Sequence, residues 1–257
     1  MNLSVTHLAR RTFRSLRKRL IPAKGLAAAQ RRMPDVADAD FEIMRRVEPY
    51  TMIGADRLLA LIEAARYIHK ARLPGALVEC GVWRGGASMA AMITLLELGC
   101  TDRDFYLYDT FEGMSTPTIH DRRIDGRHAM PEFHARRTGS DSADWCRAGL
   151  DEVRAAVLST GYPAERIHFV KGKVEDTIPG TMPREIALLR LDTDWYESTR
   201  HEMVHMFPRL AQHGVLILDD YGHWQGARQA VDEYLDAQRV ALLLTRTDYT
   251  GRMGIKI

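Results

Sequence analysis

The sequence predicts an α/β protein built on a doubly wound, mostly parallel sheet, and three observations carry that reading. From residue 55 onward short apolar runs alternate with amphipathic helical patterns, and most of the runs end in glycine or acidic residues. The chain has 257 residues and is 46% hydrophobic, enough for one such core and too few for two large ones. Strands covered by helices on both faces read as continuous apolar runs rather than alternating ones.

The elements follow in order. Residues 1–34 form a basic arm in which Val5, Leu8, Phe13, Leu16 and Leu20 recur at roughly helical spacing between arginines, until Pro22 ends the run. The arm reads either as an N-terminal helical extension suited to an anionic surface, a partner or a second subunit, or as a partly ordered tail, and a homo-oligomer is expected. Residues 22–54, punctuated by Pro22, Gly25, Pro34, Pro49 and Gly54, show little regular pattern. The catalytic domain spans 35–257. Leu58, Leu61, Ile62, Ala65 and Ile68 make an apolar helical face, and Pro74-Gly75 precedes the first strand at 76–80. Further strands are expected at 105–109, 167–171, 187–192, 215–219 and 241–245, with helices at 87–98, 147–160, 198–207 and 225–238. Residues 113–146, rich in Arg, His, Pro and Gly, are too long for an ordinary connection and read as a lid over the site.

Charge and composition exclude several classes. The 36 basic and 34 acidic residues leave a net of +2. Residues 1–34 hold nine Lys and Arg and no acid, so the remaining 223 carry a net of −7. A domain with that balance lacks the basic footprint of nucleic-acid binding. No apolar stretch approaches the roughly 18 residues of a membrane span. Three cysteines without CxxC spacing indicate neither a disulfide framework nor a zinc ribbon, and a reducing, cytoplasmic setting is expected.

In a doubly wound sheet the ligand site lies beyond the C-terminal strand ends. After the first strand stands Glu79-Cys80-Gly81-Val82-Trp83-Arg84-Gly85-Gly86-Ala87-Ser88, a glycine turn leading into a helix N-terminus. Asp109 ends the second strand, placed for ribose hydroxyls. A dinucleotide fingerprint requires a glycine where Trp83 stands, so a pyrophosphate is disfavoured and S-adenosylmethionine, a cofactor without phosphates, fits better. Its sulfonium also suits the nearby Glu79.

Two more strands end in acids, Asp192-Thr193-Asp194 and Asp219-Asp220. If those strands are neighbours, about 4.8 Å apart, their carboxylates converge and repel. A divalent cation relieves that repulsion, and an all-oxygen donor set points to Mg²⁺. Capping of the next helices explains one such aspartate but not Asp192, Asp219 and Asp220 together.

These runs, with Tyr108-Asp109-Thr110-Phe111-Glu112-Gly113, Asp192-Thr193-Asp194-Trp195-Tyr196-Glu197-Ser198-Thr199 and Asp219-Asp220-Tyr221-Gly222-His223-Trp224, closely resemble the macrocin-type O-methyltransferases, which methylate sugar hydroxyls of natural products. The resemblance covers roughly residues 50–257 and implies a Rossmann-like class I methyltransferase with a seven-stranded sheet, using S-adenosylmethionine and Mg²⁺ on a sugar or glycoside. By position it implies Asp192, Asp219 and Asp220 as metal ligands and Asp194 or Asp192 as the base. It implies cofactor contacts from Glu79, Gly81, Val82, Gly85, Ser88, Asp109, Thr110, Phe111, Gly113, Gly172, Val174 and Asp192, with Met52 closing the pocket from the N-terminal side.

Three rivals compete with it. His201-Glu202-Met203-Val204-His205 matches the HExxH of zinc hydrolases, but Pro208 stops the helix and no extended zincin spacing follows. A nicotinamide-dependent dehydrogenase lacks its middle glycine. A silent binding module would carry the acid cluster at a cost in repulsion. His120, His128 and His134 in the lid are further base candidates, although an exposed polar loop explains them as well.

Overall fold

The computed structural model describes residues 25–257. The amphipathic pattern expected between residues 5 and 20 lies outside the described residues. Two helices, α1 (Leu26–Arg32) and α2 (Asp38–Val47), and a 3-10 turn (Glu48–Tyr50) occupy the stretch expected to lack regular structure. Its glycines and prolines bracket these elements instead of interrupting them: Gly25 and Gly54 are helix N-caps, and Pro49 opens the 3-10 turn. Phe41, Met44 and Val47 recur at every third residue of α2 and are fully buried. Asp38 and Asp40 lie in its first turn and Arg45 and Arg46 in its last, each complementing the helix dipole. Asp40, itself buried, pairs with Arg66 of the next helix, α3 (Ala55–Lys70).

The remaining elements are β1 (Ala76–Cys80), α4 (Gly86–Glu97), β2 (Phe105–Asp109), α5 (Met130–Ala135), α6 (Leu150–Leu158), β3 (Ile167–Lys171), α7 (Val174–Thr177), β4 (Ile186–Leu191), α8 (Tyr196–His205), β5 (Leu210–Leu218), α9 (Gln225–Ala237), β6 (Thr245–Arg246) and β7 (Arg252–Ile255). The strands form one seven-stranded sheet in the order β3-β2-β1-β4-β5-β7-β6. Strands β1 to β5 pair in parallel, and β7 runs antiparallel to both β5 and β6. Of the run 241–245, expected to be a strand, only Thr245 joins the sheet. Leu242 and Leu244 pack against the core without pairing, which is what their apolar character reports. The pairing edge falls to β7, whose residues Arg252 to Ile255 carry too weak a pattern to be read locally.

Strand alternation builds the two layers. Along β5, Val215 and Ile217 join the apolar cluster beneath α2, α3, α4 and α6, while Leu216 and Leu218 join the one that includes Met203 of α8 and Val231 of α9. The chain passes from β1 outward to β2 and β3 and then returns to β4 on the other side of β1. The crevice beyond the ends of β1 and β4 is therefore the switch point of the sheet. No described helix is long and apolar enough to cross a membrane.

Because Phe41 is fully enclosed, Phe41→Ala is expected to cost about 3–5 kcal/mol of stability, read from denaturant unfolding. An unchanged unfolding midpoint would mean that α2 is not part of the cooperative core.

Candidate active site

A cavity of about 500 Å³ opens at this switch point. The turn after β1 forms its floor. Gly81 adopts φ 85°, and a Cβ there would lie 1.9 Å from the Asp192 carbonyl oxygen, so only glycine lets the ends of β1 and β4 approach this closely. Asp109, at the end of β2, accepts hydrogen bonds from the backbone N–H groups of Val82 (2.8 Å), Trp83 (2.9 Å) and Phe111 (2.7 Å). With the Thr110 hydroxyl at 3.5 Å as a fourth donor, Asp109 stitches β1 to β2 at the cavity wall.

Of the residues expected at the cofactor, Met52, Glu79, Gly81, Val82, Asp109, Thr110, Gly113, Gly172, Val174 and Asp192 line the cavity, while Gly85, Ser88 and Phe111 do not. Gly85 caps α4 against Val157. Ser88 is buried and donates its hydroxyl hydrogen to Glu79. Phe111 is buried behind its own N–H bond to Asp109. These three build the wall from behind.

The acidic side of the cavity is organised by an arginine. Arg190 faces Glu79 in the β1–β4 register and Ile217 in the β4–β5 register, and its side chain is 3% exposed. One of its nitrogens, Nη1, meets Glu79 at 2.5 Å, and Nη2 meets both Asp192 and Asp219 at 2.7 Å. The planar fork of a guanidinium suits this division among three acids. Asp219 is held from its other side by Arg57 of α3, which also pairs with Asp248 at 3.0 Å. Both Asp219 oxygens thus meet arginines. The trio whose oxygens lie within 4.8 Å of one another is Asp192, Asp194 and Asp220.

Burial dominates the ionisation of that trio. It pushes Asp194 up to about 7, against a hydrogen bond with Asp220 that favours the charged form. It raises Asp192 as well, with Arg190 opposing, and it raises Asp220, reinforced by the charges of Asp194 and Asp219. The buried Oδ2 of Asp220 has no hydrogen-bond partner. An orphaned acceptor beside two more carboxylates, with Arg190 and Arg57 spent on Glu79, Asp192 and Asp219, fits a hard divalent cation. Asp194 sits at φ 67°, in the left-handed region. Aspartate tolerates that region better than most residues, and such sites persist where the surroundings hold them.

The segment 113–146 caps the opening as an ordered layer containing α5. Its buried Asp121 accepts N–H bonds from Thr118 (2.6 Å) and from Tyr196 at the start of α8 (2.7 Å). Trp145 brings the cap against Trp195 and Trp224, with ring centroids 5.6 and 6.1 Å away. Trp145, Trp224, Arg123, His223 and Tyr249 give the cavity an aromatic, polar-edged outer wall. His120, His128 and His134 do not line it, and His120 stacks on Tyr196 instead. His223 and Trp224 stand in a motif quoted from the sequence but carried no assigned role. Arg190 left a local signal, a charge inside the apolar run Leu188-Leu189-Arg190-Leu191, whereas nothing near Arg57 in the sequence pointed to the site.

The HExxH match is undone by helix geometry. Glu202 is fully buried and accepts a hydrogen bond from Thr193, while His201 Nε2 lies 2.9 Å from the Ile178 carbonyl oxygen. Neither histidine belongs to a group of three possible ligands among the described residues.

The family model described as macrocin O-methyltransferase (TylF) matches residues 24–253. The chain is 32% identical over 217 residues to the 8-demethyl-8-(2,3-dimethoxy-alpha-L-rhamnosyl)-tetracenomycin-C 4'-O-methyltransferase of Streptomyces olivaceus, covering 83% of this chain and 79% of that one. It is 31% identical over 202 residues to the demethyldecarbamoylnovobiocin O-methyltransferase of Streptomyces niveus, covering 79% and 74%. The solved structure of the O-methyltransferase NovP superposes with a TM-score of 0.70 at 28% identity, over 80% of this chain and 82% of that one. With the family model spanning nearly all the described residues and the cavity at the methyltransferase switch point, the chain belongs to the macrocin O-methyltransferase family and is an S-adenosylmethionine-dependent O-methyltransferase.

Proposed function

We propose that this enzyme methylates a hydroxyl of a sugar carried by a natural product, with Mg²⁺ bound beside the acceptor and Asp194 as the base. The observation that carries the reading is the placement, in one cavity, of the glycine turn and Asp109 at one side and the Asp192, Asp194 and Asp220 trio beneath an aromatic wall at the other. The rhamnosyl group in the name of the tetracenomycin relative supports a sugar hydroxyl as acceptor.

Methyl transfer is an in-line displacement from sulfonium to oxygen, so the first task of the protein is alignment. The floor around Gly81 and Asp109 seats the cofactor, and Met52 borders it from the N-terminal side. Trp145 and Trp224 offer apolar faces to a sugar ring and keep water from the reacting atoms. Asp192 and Asp220 are the chain's donors to the cation. Bound there, Mg²⁺ supplies Lewis acidity that makes an alcohol of high pKa easier to deprotonate. Asp192 shares an oxygen with Arg190, which leaves it the poorer proton acceptor. Asp194 has no arginine partner and takes the proton.

Asp194→Asn is expected to lower kcat by about 100-fold or more while S-adenosylmethionine binding, followed by calorimetry, stays intact; unchanged turnover removes Asp194 from the chemistry. Chelation with EDTA is expected to abolish methylation of a glycoside acceptor and added Mg²⁺ to restore it, and activity surviving complete metal removal would overturn the metal-assisted reading. His201→Ala is expected to leave turnover unchanged, since its ring meets the Ile178 carbonyl and the His205 ring and does not line the cavity; a large loss of activity would reopen a role for the HExxH segment.

A further inference from the structure

Glu202 is an acid with no visible reason to be where it is. It is 0% exposed on the inner face of α8, between the fully buried Met203 and Met206 on its own helix segment and the Cys80 thiol at the end of β1. Among the described residues no lysine, arginine or histidine pairs with it. One carboxyl oxygen, Oε1, accepts the hydroxyl hydrogen of Thr193 at 3.0 Å, and the other, Oε2, is buried without a partner. Burying an unpaired carboxylate is among the costlier choices a core can make, and a methyl or thioether side chain would fill the space without that cost.

The bond Glu202 accepts from Thr193 leads straight to the site. Thr193 stands between Asp192 and Asp194, in a turn closed by the Trp195 N–H bond to the Thr193 carbonyl (2.8 Å) and anchored by the Asp192 N–H bond to the Cys80 carbonyl (2.8 Å). The backbone reverses at Asp194, whose φ of 67° needs support from its neighbours. Those backbone bonds fix the two ends of the turn, whereas the Thr193 hydroxyl is the side-chain tether that ties its middle to α8.

We propose that Glu202 is a positioning residue for methyl transfer, holding Thr193 so that Asp192 and Asp194 on either side of it present their carboxylates to the cavity. The proposal rests on the reading of Asp192 and Asp194 as working groups. Glu202 touches neither cofactor nor acceptor; it acts through one hydroxyl. Burial pushes the Glu202 carboxyl well above the usual carboxylate range, against the hydrogen bond from Thr193.

The test compares Glu202→Gln, Glu202→Ala, Thr193→Val and the Glu202→Ala/Thr193→Val double variant in the full-length enzyme, with kcat, KM for S-adenosylmethionine and the melting temperature recorded for each. A displacement of the reacting groups by about 1 Å costs on the order of 100-fold. Glu202→Ala and Thr193→Val are therefore expected to lower kcat by about 10- to 100-fold with KM for the cofactor nearly unchanged. Glu202→Gln, which keeps a neutral acceptor at the same place, is expected to retain turnover, and the double variant to be no worse than the worse single one. Thr193→Val is isosteric, so it decides the matter even if Glu202→Ala fails to fold. Full kcat in Thr193→Val, additive losses in the double variant, or loss of turnover in Glu202→Gln overturns the proposal. The parent reading fails separately, through an active Asp194→Asn enzyme.

Discussion

The site depends on one buried guanidinium. Arg190 projects from the centre of the sheet and is shared by carboxylates from three adjacent strands, Glu79 within β1, Asp192 after β4 and Asp219 after β5. Taking a charge of this kind out of water costs several kcal/mol unless every partner is in place. That requirement constrains the register of β1, β4 and β5 together, because a slip of one residue would turn Arg190 to the opposite face. The same ion cluster sets the balance of charge in the cavity. Two guanidiniums, Arg190 and Arg57, face five acids, Glu79, Asp192, Asp194, Asp219 and Asp220, so carboxylates outnumber cations on this side of the cavity, which suits the sulfonium and divalent cation of the proposed function.

Around that centre the enzyme separates rigid parts from adjustable ones. In the proposed function, cofactor seating falls to backbone: the Gly81 turn, the Asp109 bonds to Val82 and Trp83, and the close approach of β1 to β4. The opposite side of the cavity is walled by side chains from the cap and from the loop after β5, Trp145, Arg123, His223 and Trp224, with Tyr249 at the exposed margin. On that reading, backbone geometry serves a cofactor that does not vary, while side chains on a cap let acceptor preference vary without disturbing the sheet. Asp121 ties the cap to the N-terminus of α8, so cap and catalytic turn share one support.

The parts of the fold legible along the chain were those whose pattern is local and strong. The strands β1, β2 and β3 fall on the residues their apolar runs mark, while α4 is shifted by one residue at both ends and α9 ends one residue early. Helices α1 and α2 were hidden by their own punctuation, since Gly25, Pro34 and Pro49 read as signs of a loop when they cap and separate helices. Strand β7 was hidden because its stability comes from pairing with β5 rather than from its own four residues. In the HExxH segment the period was right and the facing was not visible: which side of α8 meets the core places Glu202 inside.

The residue pattern alone therefore determined the class of fold, the glycine turn after β1 and the collection of acids at the ends of β4 and β5, because each is written in neighbouring residues. Tertiary structure decided how those acids divide. Asp219 is paired with arginine and Asp194 is not, because Arg57 and Arg190 reach Asp219 from α3 and from β4, and ion-pair choice in a buried cluster depends on which cations the fold delivers there. No reading of the Asp-Asp dipeptide could have separated Asp219 from Asp220, since the arginine that distinguishes them most stands 162 residues earlier in the chain.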